Sequence, residues 1–309
     1  MSEPPSGESG PRPAADLRPG ERSASSGTSP KKVCLITGAT SGLGRAAATA
    51  IARQGWRMVL VGRNPDRGAE TVAEVCARSG NEDVAFLRAD FASLAEIRAL
   101  AADFRAGHRR LDVLVNNAGA IFQRRETSAD GFERTFAVNH LAHFLLTTEL
   151  LDLLRASAPA RIVNVSSGAH RAGHVHFDDI DLERRYSAFR AYGQSKLANV
   201  LFTRELARRL AGTGVTANSM HPGFVASGFA TNNGRFARAL LALLSPFARS
   251  PEKAASTLTH LAVAPELEQV TGGYFQAMQP TRVSKEAADP EVARRLWELS
   301  ERLVRPSAA

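Results

Sequence analysis

Cysteine is scarce: the chain has two in 309 residues. Cys34 lies in an apolar run and Cys76 in a helical pattern, so no disulfide framework is expected. That usage fits a reducing compartment, and a cytoplasmic location is the expectation. No run of 18 or more apolar residues occurs, so no transmembrane helix of ordinary length is expected. The basic residues behind the net charge of +8 come in pairs such as Arg109-Arg110, Arg184-Arg185 and Arg208-Arg209, without interleaved aromatics. That spread argues against nucleic acid as a partner. It suits a solvated basic surface that also attracts an anionic cofactor. Large apolar side chains are nearly missing from residues 1–30, where Ser, Pro and Gly fill 17 of the 30 positions. This stretch cannot bury enough to fold alone and reads as a disordered polar tail. It lacks the apolar core of a signal peptide, and Glu3, Glu8, Asp16 and Glu21 argue against a transit peptide.

From Lys31 onward the pattern is regular. Val33–Ile36 reads as a short apolar strand, followed by a helix over Ala46–Arg53. Strands are then predicted at Arg57–Val61, Val84–Leu87, Leu111–Val115, Arg161–Val165 and Val215–Met220. Helices are predicted between them at Pro65–Ala77, Leu94–Phe104, about Gly131–Leu154, and Ala191–Leu210. Short apolar strands alternating with helices imply parallel βαβ units. The fold class is therefore α/β: a single-domain Rossmann fold over 31–305, with a doubly wound parallel sheet of about seven strands and helices on both faces.

Thr37-Gly38-Ala39-Thr40-Ser41-Gly42-Leu43-Gly44 falls between the first strand and the first helix. That is where a dinucleotide pyrophosphate sits. Gly38 permits the tight turn, Gly42 the approach of backbone to phosphate, and Gly44 the packing of helix on strand. The helix start adds free N–H groups and the positive end of its dipole. The second strand ends Val61-Gly62-Arg63-Asn64, without the acid that holds a ribose 2′-hydroxyl in NAD sites. Arg63 suits a 2′-phosphate, with Arg45 as a second jaw, so NADP(H) is expected over NAD(H). The alternative is two solvated surface arginines. Asp90 is read either as an acceptor for the adenine amino group or as a helix N-cap. Asn116-Asn117-Ala118-Gly119 suits a tight turn at the carboxyl end of the fourth strand, beside the cofactor.

Tyr192-Gly193-Gln194-Ser195-Lys196 puts a tyrosine and a lysine one turn apart on one helix face. A phenol has a pKa of about 10, and a fixed ammonium beside it lowers that value by about 1–3 units. Such a pair makes a proton donor and acceptor near neutral pH.

Taken together and in this order, Thr37–Gly44, Asn116–Gly119, Ser166-Ser167, Tyr192…Lys196 and Pro222-Gly223 resemble the short-chain dehydrogenases/reductases. Within that family the chain is most similar to the retinol dehydrogenase-like group. Val138-Asn139-His140-Leu141-Ala142-His143-Phe144, Gly273-Tyr274-Phe275 and the ending around Ala293–Ser300 carry this likeness. So does the gap of 25 residues from Ser167 to Tyr192 (192 − 167). The resemblance implies Tyr192 as general acid/base and Lys196 as the group that tunes it and holds the nicotinamide ribose. It implies Ser167 on the reacting oxygen, ahead of Ser166. It implies Asn139 as holder of a water linking Lys196 to solvent. It also places Pro222, Gly223, Val225 and Ser227 against the carboxamide side of the cofactor, although Ser227 stands where the family often has threonine. Phe91 replaces a common leucine. The group's N-terminal membrane anchor is not carried over to this polar tail.

Clustered His170, His174, His176, Asp178 and Asp179 invite a metal reading, but packing or loop structure is the expectation, and no metal is predicted. His140, His143 and His221 are likewise expected to be structural. Phe236–Phe247 is apolar and falls where the family has its substrate lid, about 224–250. It is read as a greasy wall for a lipophilic substrate, as a core helix, or as a shallow membrane contact. The expected function is an NADP(H)-dependent oxidoreductase, EC 1.1.1.-, interconverting a lipophilic alcohol and its aldehyde or ketone. Alternatives are a broad carbonyl or steroid reductase, and a catalytically weak NADP(H)-binding sensor or partner protein. An oligomer is compatible with the sequence.

Overall fold

All five residues of the first strand, β1 (Val33–Thr37), are buried, because parallel strands flank it on both edges and helices cover both faces. A computed structural model describes residues 31–223 and 250–305. The tail at 1–30, and the expected lid apart from Ser250, including Val225 and Ser227, lie outside the described residues. The other strands are β2 (Arg57–Gly62), β3 (Val84–Arg88), β4 (Val113–Asn116), β5 (Ala160–Val165), β6 (Val215–His221), β7 (Tyr274–Gln276) and β8 (Gln279–Pro280). They form one eight-stranded sheet in the order β3-β2-β1-β4-β5-β6-β7-β8. The count exceeds the expected seven because β8, only two residues long, pairs antiparallel with β7. A two-residue strand leaves no periodicity to detect.

The longer helices are α1 (Gly42–Ala52), α2 (Pro65–Ser79) and α3 (Leu94–Gly107). A segmented run follows: α4 (Arg134–Phe136), a π-helical turn (Ala137–Leu141), α5 (Ala142–Glu149) and α6 (Leu151–Ala156). Then come α7 (Ala188–Arg209), α8 (Pro251–Val263), α9 (Lys285–Ala288) and α10 (Pro290–Leu303). One core layer joins α3, α5, α7 and α10 through Leu100, Phe144, Leu201 and Leu296. The opposite layer joins α1, α2 and α8 through Ile51, Val75 and Leu258. Burying each such side chain contributes roughly 1.5–3 kcal/mol.

Two boundaries differ from the expectation for local polar reasons. Strand four begins at Val113, not Leu111, because Leu111 N–H donates to Ser157 Oγ (2.9 Å) and Asp112 turns its carboxylate to Val33 N (2.7 Å). The expected helix over 131–154 starts only at Arg134. There the buried Glu133 carboxylate accepts the Thr135 and Phe136 N–H groups (2.8 and 2.7 Å), which sets the first turn. The chain passes from β1–β3 back across to β4, so the strand order reverses between β1 and β4. Ligands bind outside the carboxyl ends of strands at such a switch point.

Candidate active site

At the switch point β1 ends in Thr37. Its hydroxyl oxygen accepts the backbone N–H groups of Asn117 and Ala118, both at 2.9 Å. In return Asn117 Nδ2 donates to the carbonyls of Thr37 (2.7 Å) and Gly38 (3.1 Å). The glycine turn and the end of β4 are therefore one unit. Gly38 has φ +63°, and a Cβ there would lie 2.7 Å from the Cα of Ala118. A Cβ on Gly44 would lie 2.4 Å from the Gly38 carbonyl oxygen. Only glycine fits either position. Ser41 caps α1 with extended backbone and no side-chain bond, and the first turn holds no acid. The N–H groups of Gly42, Leu43 and Gly44 thus begin a helix whose positive end suits phosphate. This cradle fits a dinucleotide.

The two arginines separate. Arg63 stands exposed just past β2 and joins no ion pair among the described residues. Arg45 turns the other way, to Glu74 on α2 (2.6 Å), and Glu74 also binds Arg78 (3.1 Å). Arg45, the expected second jaw, thus has its guanidinium held by a carboxylate on the neighbouring helix. Asp90 is not a helix cap, since Ser93 caps α3 by accepting from Glu96 N–H. Asp90 Oδ1 instead accepts Ala92 N–H (3.0 Å) in a local turn after β3.

The catalytic candidates meet across β5 and α7. Ser187 caps α7 and starts it one turn before Tyr192. Lys196 is buried, with Nζ 5.6 Å from the Tyr192 ring centroid and donating to the Val165 carbonyl (3.1 Å). The Tyr192 phenol shares a hydrogen bond with the Ser167 hydroxyl. Ser166 is excluded from this role because its buried hydroxyl donates to the Lys196 carbonyl (2.7 Å). Asn139 lies in the π-helical turn, a distortion common at functional sites. Its Oδ1 accepts Ala120 N–H (2.8 Å), and its Nδ2 donates to the Ala120 carbonyl and Ser195 Oγ (both 2.9 Å). A Cβ on Gly119 would sit 3.3 Å from Asn139 Oδ1 and 3.4 Å from Lys196 Nζ, so these three converge. Both amide hydrogens of Asn139 are taken by protein. The side chain fastens the turn after β4 to α7. Pro222 and Gly223 (φ +84°) follow β6 at the same end of the sheet.

Electrostatics also departs from expectation. Burial pushes the Tyr192 phenol up to about 12, and the hydrogen bond from Ser167 offsets only part of this. Burial brings Lys196 down to about 8. Desolvation disfavours both charged forms. The pair is set as a protonated phenol beside an amine that titrates near neutral pH.

The loop histidines bind protein. His170 Nδ1 lies 2.7 Å from the Ser167 carbonyl, His174 meets Glu286 (2.8 Å), and His176 takes Arg190 Nε (2.8 Å). Among the described residues no group of His, Cys, Asp or Glu is arranged to hold a metal ion. Sequence reasoning missed a row of buried amides beneath the site. Asn116 Nδ2 donates to Asn164 Oδ1 (2.8 Å) and Thr147 Oγ1 (2.9 Å), and Asn164 Nδ2 to Thr203 Oγ1 (2.9 Å). Asn199 Nδ2 reaches the same Val165 carbonyl as Lys196 (3.3 Å). Asparagine inside the apolar run Val163-Asn164-Val165 was the available signal, since a buried amide needs partners.

A family model described as short chain dehydrogenase matches residues 32–237. The chain is 44% identical over 286 residues to "Retinol dehydrogenase 13" of Homo sapiens, covering 91% of this chain and 86% of that protein. It is also 44% identical over 271 residues to "Retinol dehydrogenase 12" of Mus musculus, covering 88% and 85%. Among solved structures, a putative uncharacterized protein from Mycobacterium paratuberculosis superposes with a TM-score of 0.71 at 33% identity, covering 88% and 93%. The Pseudomonas aeruginosa RhlG/NADP active-site complex gives 0.63 at 28% identity, covering 79% and 93%.

Proposed function

The chain belongs to the short-chain dehydrogenase family as an oxidoreductase acting on CH–OH groups with NAD(P), and we propose that its substrates are lipophilic alcohols and carbonyls of the retinoid kind, with NADP(H) preferred. The observation that carries this is the buried Tyr192 phenol bonded to Ser167, with Lys196 over its ring, beside a glycine turn built for phosphate. A bound nicotinamide dinucleotide supplies the hydride donor or acceptor. Gly38, Ser41, Gly42, Leu43 and Gly44 would hold its pyrophosphate, and Thr37, Asn117, Ala118 and Gly119 would line its nicotinamide half. Asp90 would face the adenine and Arg63 the 2′-phosphate. Pro222 and Gly223 would border the nicotinamide.

In carbonyl reduction the substrate oxygen accepts hydrogen bonds from Ser167 Oγ and Tyr192 Oη. As that oxygen gains negative charge, the phenol hands over its proton. Lys196 stabilises the resulting phenolate by its charge, and oxidation runs the same steps backward. Two features support a lipophilic substrate: the retinol dehydrogenase names of the relatives and the apolar character of 236–247. The test is absorbance at the reduced-cofactor band, with a panel of aldehydes, ketones and alcohols and with both dinucleotides. Retinal-like and other long apolar carbonyls are expected to give the highest kcat/KM. Tyr192→Phe is expected to lower kcat by about 10²–10⁴-fold. A Tyr192→Phe variant as fast as wild type would sink the reading.

A further inference from the structure

His143 is buried beside the site, and the chemistry above does not use it. It occupies the first turn of α5, one turn past Asn139, and is 1% exposed. Nδ1 lies 3.0 Å from the Asn139 carbonyl oxygen, and Nε2 lies 3.4 Å from Thr37 Oγ1. The edge of the ring meets Phe91, with centroids 5.5 Å apart at 67°. That contact gives the unusual phenylalanine at 91 a partner.

The proton positions follow from the partners. A carbonyl oxygen only accepts, so Nδ1 carries the hydrogen. Nε2 is then an acceptor, and in any hydrogen bond between the two the Thr37 hydroxyl is the donor. The Thr37 oxygen already accepts two backbone N–H groups, at 2.9 Å each, leaving its single hydrogen for Nε2 or for the Val115 carbonyl at 3.3 Å. Burial and the nearby Lys196 charge keep the ring neutral. Asn139 in turn holds Ala120 and Ser195, and Ser195 Oγ donates to the Tyr192 carbonyl (2.8 Å). Polar contacts therefore run from the end of the dinucleotide turn to the backbone of the candidate acid.

We infer that His143, as its neutral Nδ1–H tautomer, is a positioning residue: it ties the π-helical turn carrying Asn139 to Thr37, and so holds the Tyr192–Lys196 pair in register with the dinucleotide cradle. The inference rests on the oxidoreductase reading, but its first test does not need turnover. Two-bond ¹H–¹⁵N spectra of the whole chain, without added dinucleotide, report which ring nitrogen bears the proton. The Nδ1–H pattern is expected from pH 6 to 8. The Nε2–H pattern would overturn the inference, because Nδ1 would then face the carbonyl lone pair to lone pair.

The second test compares His143→Leu with His143→Asn, whose amide nitrogen can occupy the Nδ1 position. The leucine variant is expected to lose about 10–10²-fold in kcat, with substrate KM within about three-fold, as misplacement of catalytic groups does. The asparagine variant keeps the bond to the Asn139 carbonyl and loses the contact with Thr37, and is expected to lie between the leucine variant and wild type in kcat. Equal kcat in the two variants would make residue 143 a packing residue only and end the inference. Should the leucine variant not fold, His143→Asn against wild type, together with the tautomer, decides. An inactive wild type with an Nδ1–H ring would count against the oxidoreductase reading and leave the tie itself standing.

Discussion

Arg45 and Arg63 carry the same charge near the same turn, yet their surroundings divide their roles. A guanidinium bound to Glu74 at 2.6 Å must break that pair before meeting a phosphate, while Arg63 has no ion pair to break among the described residues. Charge-assisted hydrogen bonds contribute about 1.5–3 kcal/mol, roughly ten-fold or more in affinity. Arg63→Asp is therefore expected to raise the KM for NADP(H) at least about ten-fold relative to NAD(H), with Arg45→Ala leaving the ratio within about two-fold. Steady-state kinetics with both dinucleotides measure this. A larger effect at 45 than at 63 would show that Arg45 leaves Glu74 for the phosphate. The choice between Ser166 and Ser167 belongs to the same scale. Adjacent serines are chemically identical, and only the contact of Ser166 with the Lys196 carbonyl removes it from the reaction.

At the scale of elements, the junction of β1 and α1 is tightly packed. An added methyl at Gly44 would strike the Gly38 carbonyl at 2.4 Å and Asn117 Nδ2 at 2.6 Å. Neither can yield, since Asn117 is bonded to β1 and the carbonyl is backbone. Gly44→Ala is expected to cost about 1–3 kcal/mol and to weaken dinucleotide binding, because α1 must lift from the strand that aims it. Gly107, the last residue of α3, meets nothing within 4 Å, so Gly107→Ala serves as the neutral control. Urea denaturation and a fluorescence titration with NADPH give the two readouts. Equal behaviour of the two variants would refute the packing argument. The π-helical turn is the other decisive element. Nothing in the sequence pattern separates it from the flanking α-helix, because one extra residue per turn leaves apolar spacing nearly unchanged over five residues.

For the whole molecule, the C-terminal helix α10 closes the layer behind the site. Trp297 packs against Phe144 (4.9 Å) and Phe202 (5.8 Å), with the Arg209 guanidinium over its ring at 4.3 Å, and Ser300 meets His140 (2.8 Å). Two histidines are buried in neutral form: burial lowers His140, against this helix, to about 4 and His143 to about 3. Between those values and 6.5 the unfolded chain binds protons that the folded chain refuses. Their stabilising effect is complete above 6.5 and is lost as pH falls toward 4 and 3. Each histidine costs about 1.4 kcal/mol per pH unit in that window. Urea midpoints are expected to drop from pH 7 to pH 5, less steeply in His140→Gln. A wild-type midpoint that stays constant over this range would contradict the sealed histidines. What the sequence determined by itself was local: strand and helix periods, a glycine turn whose spacing permits a single backbone path, and a tyrosine and lysine one turn apart. The parallel sheet followed, because fully apolar strands between helices bury both faces in no other common arrangement. Tertiary structure alone decided which of two arginines is free, which of two serines meets the phenol, and that burial raises the tyrosine. The first two depend on contacts between residues 25 or more positions apart, as from Ser167 to Tyr192 or from Arg45 to Glu74, and the third on the whole shell that excludes water; such pairings arise only once the chain has closed on itself.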